Sequence, residues 1–157
     1  MKVADLTKTF GKLTAVDAVS FSIDQPQIIW VIGPSWAGKS TLLRMINRLT
    51  HATRGSIQVN DRDSLQFSGR EKRRWQRDCA MIFQQFNLVP RLNVVTNVLM
   101  GRLNGHSTLK SLFCIFGRHL VDEALVALDR LGIADQAMQR AETLSGGQQQ
   151  RVAIARA

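Results

Sequence analysis

The chain has 157 residues, 45% of them hydrophobic and 21% charged, and a formal net charge of +9. That is one domain's worth of ordinary globular composition, and no apolar run approaches the roughly 18 residues of a membrane helix. Cys79 and Cys114 are solitary and His51, His106 and His119 are scattered, which argues against a disulfide framework or a zinc site. Met1-Lys2-Val3-Ala4-Asp5 lacks the long apolar stretch of a signal peptide. Together these features point to the cytoplasm.

In chain order, residues 3–6 and 16–23 read as two short strands, the second alternating Val19, Phe21 and Ile23 with polar residues. The apolar run Ile28-Ile29-Trp30-Val31-Ile32 reads as a core strand. It leads into Gly33-Pro34-Ser35-Trp36-Ala37-Gly38-Lys39-Ser40-Thr41 and then into a helix predicted over 39–49. A strand, a glycine-rich turn and a helix with this spacing make a phosphate-binding loop. Successive backbone N–H groups form an anion-holding concavity, and the helix adds the positive end of its dipole. Lys39 would reach the β- and γ-phosphates, and the Ser40 hydroxyl would ligate Mg²⁺. Trp36 is out of character, because so tight a loop leaves little room for an indole.

Residues 55–59 read as a further strand closed by a polar turn at Asn60-Asp61. The basic run Arg70-Glu71-Lys72-Arg73-Arg74 falls on a helix continuing through Trp75 to Cys79. It reads either as a solvated face, since Glu71 and Asp78 interrupt the charge, or as a surface lying near anionic lipid. Ala80-Met81-Ile82-Phe83 reads as another apolar strand and 94–100 as a helix. A loop-like insertion over 104–117 contains the apolar patch Leu112-Phe113-Cys114-Ile115-Phe116. Leu120, Ala124, Leu128 and Leu131 have the spacing of an amphipathic helix over 120–131, and a last helix is predicted over 148–157. Strands fill the first half and helices the second, as in an α/β nucleotide-binding core carrying a helical subdomain.

Before the last helix stands Leu144-Ser145-Gly146-Gly147-Gln148. Two glycines free the backbone to approach a ligand, and Ser145 can cap the helix that begins there. The exposed amides of that helix start make a second phosphate site. Two such sites in one chain are reconciled if two chains pair head to tail, each signature closing over the other's nucleotide.

On these motifs the chain resembles the ATP-binding-cassette (ABC) ATPases along its whole length. The loop 33–41 matches that family's phosphate loop, and Leu144 to Gln148 matches its signature without a substitution. Phe83-Gln84-Gln85-Phe86-Asn87-Leu88 matches its glutamine loop. The resemblance implies that Gln84 contacts Mg²⁺ and the attacking water and senses the transporter subunit. It also places Phe10 where the family has an aromatic that stacks on adenine, the other reading of Phe10 being a core residue. The fold implied is α/β: a phosphate-loop NTPase core with an antiparallel β portion (1–85) and a helical subdomain bearing the signature (86–157), incomplete at the C-terminus. ATP and Mg²⁺ are the implied ligands.

Gln84 to Leu92, and Leu42-Leu43-Arg44-Met45-Ile46-Asn47-Arg48-Leu49, look like the bacterial importer branch. Val98-Leu99-Met100-Gly101-Arg102-Leu103-Asn104 with the following insertion is most similar to the ATPase subunit of phosphonate importers. That resemblance implies membrane permease subunits, a second ATP-binding subunit in a head-to-tail homodimer and, indirectly, a periplasmic binding protein, with no nucleic acid. The place implied is the inner face of the bacterial inner membrane, with ATP-driven closure passed to the permease through the surface around Gln84 to Leu92. An amino-acid importer would differ only in a substrate this subunit never touches. DNA-repair ATPases with the same signature carry long insertions for which the spacing here leaves no room.

Two departures from the family qualify this reading. In the family the signature helix leads to an apolar strand ending in Asp-Glu and, later, a His at the γ-phosphate. This chain stops at Ala157, so very slow or no turnover is expected, as are marginal stability and the character of a non-catalytic fragment from a decaying gene or partial reading frame. Trp36 stands where the family has glycine. A bulky residue at φ > 0 costs roughly 1–2 kcal/mol, and weakened nucleotide binding, relieved by Trp36→Gly, is expected.

Overall fold

The first sixty or so residues build a small sheet around strand β1 (Lys2–Phe10), which pairs antiparallel with β2 (Leu13–Ser22) on one side and β3 (Arg54–Val59) on the other. A short β4 (Arg62–Asp63) completes the order β2-β1-β3-β4. The structure, a computed structural model, describes residues 1–101 and 116–157. Of the predicted insertion and apolar patch only Phe116 and Gly117 are among them, so Arg102 to Asn104, His106 and Cys114 lie outside the described residues. The chain divides into two compact units, Met1–Ala80 and Met81–Ala157.

In the first unit local chemistry dictates the turns. Asn60 and Asp61 both take positive φ (48° and 59°) between β3 and β4, the two-residue turn whose twist suits a hairpin. Strict alternation along β1 would put Val3, Asp5 and Thr7 on one face. A register shift between Val3 and Leu6, with Asp5 at φ 46°, resets the pleat so that Val3 and Leu6 both bury. Ala18 (φ 45°) does the same in β2, between buried Val16 and half-buried Val19. Gly55 permits this crossing, because a Cβ there would stand 2.6 Å from the Asp5 carbonyl oxygen and the Leu6 Cα.

Helix α1 (Lys39–Ile46) buries Leu42 and Met45 against Val3, Leu6, Val16 and Ile57. The fully buried members, Leu6, Met45 and Ile57, are each worth about 1.5–3 kcal/mol. Helix α2 (Gly69–Asp78) buries no residue completely and is tethered through polar atoms. Trp75 Nε1 donates to the Ile46 carbonyl (2.8 Å), Gln76 Nε2 donates to the Arg48 carbonyl (3.2 Å), and Asn47 Nδ2 donates to the Cys79 carbonyl.

Two predicted strands are not formed. Residues 28–32 and 80–83 are irregular, and Ile28, Trp30 and Ile32 are 85%, 82% and 89% exposed. A strand of this apolar kind is stabilised by ladders on its edges and layers on its faces, and among the described residues no strand pairs with it. The β1–β2 hairpin, closed by two residues, needs no distant partner.

In the second unit α3 (Val94–Leu99), α4 (Arg118–Arg130) and α5 (Gly146–Arg156) pack around Val94, Val98, Leu99, Leu128, Ile133 and Val152. The predicted stripe of α4 is observed: Ala124 and Leu128 are buried, and Leu120 and Leu131 are half-buried against the same core. Asn97 is fully buried within it. Its Oδ1 accepts from the Val89 amide (2.7 Å), and its Nδ2 donates to the carbonyls of Val89, Leu92 and Asn93.

Candidate nucleotide-binding site

The loop over 33–41 rises out of the first unit and enters α1 through Gly38, which sits at φ 78°. That geometry and the close approach of β2 both require glycine, since a Cβ at Gly38 would stand 2.0 Å from the Ala15 carbonyl oxygen. Gly33, Pro34, Ser35, Trp36 and Ala37 are all exposed, as is Ser40, while Thr41 is half-buried in the first turn of α1. The Lys39 ammonium folds back over the loop and donates to the carbonyl oxygens of Gly33 (2.7 Å) and Pro34 (2.6 Å). It thereby ties the start of the loop to the start of the helix, and its positive charge stands beside amides that carry the dipole's positive end. Exposed amides at a helix start with a cation beside them favour an anion.

Trp36 has φ 69°, the left-handed conformation expected from its position. Its side chain is 100% exposed, so the indole points into solvent and does not fill the loop. Phe10, at the end of β1, is 52% exposed and therefore is not a core residue. The Lys8 ammonium lies 4.8 Å from its ring centroid, leaving an aromatic face available for stacking.

In the second unit the signature Leu144 to Gln148 opens α5. Leu144 is buried and anchors the motif; Ser145, Gly146 and Gly147 are exposed. Ser145 Oγ accepts from the Gln148 amide (3.3 Å), and Gln148 Oε1 accepts from the Ser145 amide (2.9 Å). This reciprocal capping box fixes the helix start. A Cβ at Gly146 or Gly147 would meet no described atom within 4 Å, and neither residue has positive φ. Among the described residues nothing therefore requires glycine at either position.

Gln84 is exposed in a turn, and its loop is shaped by Phe86 (φ 56°) and Asn87 (φ 49°). The far end of α5 holds that loop. Arg156 Nη1 donates to the Asn87 carbonyl and Nη2 to the Phe86 carbonyl, both at 2.6 Å. Burial lowers the pKa of this guanidinium from its ordinary value. Arg156 thus links the signature helix to the glutamine loop, a role for which no local sequence pattern gives a sign. An open hollow of about 530 Å³ lies at the β1–β2 bulge and is lined by Asp5, Ala18, Arg54 and Ser56 among others. None of the predicted site residues lines it.

Residues 16–157 match the ABC transporter family, which takes in the phosphate loop, the glutamine loop and the signature together. The chain belongs to the ABC transporter family. Its curated relatives within that family include the phosphonates import ATP-binding protein PhnC of Agrobacterium fabrum (strain C58). That protein is 62% identical over 152 residues, which are 97% of this chain and 53% of the relative. The protein of the same name from Ruegeria pomeroyi is 58% identical over 157 residues, covering 100% and 58%. The chain thus spans about half the length of the curated relatives it matches. Among solved ABC structures, the dimeric form of a bacterial ABC transporter cassette superposes with a TM-score of 0.83 at 31% identity, over 99% of this chain and 67% of that one. A dimeric post-hydrolysis state of an ATP-binding cassette, bound to ADP and Pi, does so with a TM-score of 0.82 at 31% identity.

Proposed function

We infer that this chain is the ATP-binding part of the ATP-binding subunit of a bacterial phosphonate importer, a peripheral protein on the inner face of the inner membrane. The observation that carries the reading is the pair of glycine loops. The loop at 33–41 gathers Lys39 and the α1 amides. The signature presents Gly146 and Gly147 in the first turn of a capped helix, where nothing among the described residues requires glycine. Glycines that nothing internal needs are suited to an external surface pressed close, here the triphosphate held by a second copy of the chain. The solved dimeric cassettes support that arrangement, and the names of the relatives support the phosphonate branch.

In this reading MgATP is the substrate. The α1 amides and Lys39 hold its phosphates, the exposed Ser40 hydroxyl offers Mg²⁺ a hard oxygen, and Phe10 stacks on adenine. Among the described residues no cluster of three or more His, Cys, Asp or Glu is placed to hold a metal by itself, consistent with a cation that arrives with phosphate oxygens. Gln84 meets the metal and the attacking water, and its loop faces the permease subunits, which draw on a periplasmic binding protein. Phosphoryl transfer depends on positioning water and neutralising developing charge.

Equilibrium binding of MgATP, with phosphate release followed in parallel, tests this directly. Binding that is lost in Lys39→Ala is the expected result. A folded chain that binds no ATP would sink the reading.

A further inference from the structure

Helix α2 has two faces of opposite character. Trp75, Gln76 and the C-cap Cys79 lie on the face tied to α1 and to the residues just after it, as the bonds to Ile46, Arg48 and Asn47 show. Arg70, Arg73, Arg74 and Arg77 recur at i, i+3, i+4 and i+7, and all four are exposed. They therefore form one stripe along the outward side of the helix.

The stripe is poorly neutralised. Among the described residues Asp78 is the carboxylate that pairs with the stripe, shared between Arg74 Nε (3.8 Å) and Arg77 Nε (3.4 Å). Glu71 is engaged by Arg62 at 2.5 Å. Arg70 and Arg73 have no ion pair among the described residues. Like charges three and four residues apart repel one another, so the helix keeps this stripe against its own stability. An external anionic surface removes that repulsion.

We propose that the arginine stripe of α2 docks on an anionic lipid bilayer, each guanidinium donating to headgroup phosphate oxygens. The planar guanidinium fork matches phosphate geometry, and a line of charges on one helix face suits a flat surface. Nucleic acid fits less well, because single-strand binding uses free aromatic faces. Here the nearby rings are engaged: the Trp75 N–H is bonded to Ile46, and its ring meets Phe67 edge to face at 6.4 Å. No helix among the described residues is long and apolar enough to cross a membrane; the contact proposed for α2 is peripheral and electrostatic.

Co-sedimentation of the whole chain with vesicles tests this. Binding to phosphatidylcholine vesicles containing phosphatidylglycerol, absent with phosphatidylcholine alone and lost at high salt, is expected. Each Arg→Gln change in the stripe should lower partitioning about five-fold. The decisive pair is R70Q/R73Q/R74Q/R77Q against K2Q/K12Q/R118Q/R130Q, which removes the same charge from exposed positions elsewhere. R70Q/R73Q serves if the first quadruple variant loses its circular-dichroism signal. Equal losses in the two quadruple variants would show a whole-chain charge effect and overturn the proposal. So would binding to neutral vesicles, or duplex DNA displacing the chain from anionic ones. The assay needs neither nucleotide nor permease, so its failure would leave the ATP reading standing.

Discussion

At Gly38 an added Cβ would collide with the backbone of β2, and the residue already sits at φ 78°; at Gly146 and Gly147 an added Cβ meets open space at ordinary φ. The first glycine is demanded by the chain's own fold. The other two are demanded by nothing within the described residues, so their reason is sought outside, in a ligand or a second copy. Motif text treats the glycines of both loops alike, and only the surroundings separate glycines the fold demands from those it does not.

The comparison breaks most readily at Gly38. Gly38→Ala places a methyl carbon where the Ala15 carbonyl oxygen stands, at a φ that disfavours any side chain. A loss of roughly 3 kcal/mol or more is expected from displaced backbone and conformational strain together, read as a lower midpoint in urea unfolding. MgATP binding should fall with it, because α1 no longer starts where the loop delivers it. A variant as stable as the parent would mean that the loop relaxes freely and that Gly38 owes nothing to β2.

What was legible in the sequence follows the same division between local and distant causes. The Asn60-Asp61 turn, the Ser145 cap and the Leu120, Ala124, Leu128 stripe depend on residues within a turn or two of each other, and each is found where its pattern put it. The glycine entry into α1 and the capped helix start at Gly146 were legible for the same reason. The strands over 28–32 and 80–83 were not, since apolar residues in a row signal a strand only when other strands supply a ladder. The bulge at Asp5 and Ala18 escaped because it is set by how β1 crosses β3 at Gly55. The Arg156 clasp on Phe86 and Asn87 joins segments far apart in sequence, and periodicity carries no information about such a pair.

Trp36→Gly has a smaller effect and sharpens the contrast inside the phosphate loop itself. The expectation of weakened nucleotide binding had two parts, strain and crowding. The structure shows the positive φ but turns the indole wholly into solvent, so strain is present before any ligand arrives. Glycine relieves that strain while adding freedom to the unfolded chain. A gain of about 1 kcal/mol or less in unfolding free energy is therefore expected, with less than a three-fold change in ATP affinity. Affinity that rises ten-fold or more would show that the indole obstructs bound nucleotide after all.

The smallest effect on the fold, and the sharpest division between fold and function, belongs to Gly146→Ala. Alanine is a better helix former than glycine, the new methyl meets no described atom, and the Ser145–Gln148 capping box is untouched. Thermal unfolding should therefore shift by no more than about 0.5 kcal/mol in either direction. Nucleotide binding to the separate chain should also persist, because Lys39 and the α1 amides belong to the other loop. What the methyl should abolish is ATP-dependent association of two copies, measured as dimer formation by sedimentation or light scattering with a slowly hydrolysed ATP analogue. A methyl group is enough, since amides that hydrogen-bond a phosphate do so at about 2.9 Å and leave no room for a carbon between. If Gly146→Ala dimerised as well as the parent, the signature glycines would have no role that either the fold or the paired site explains.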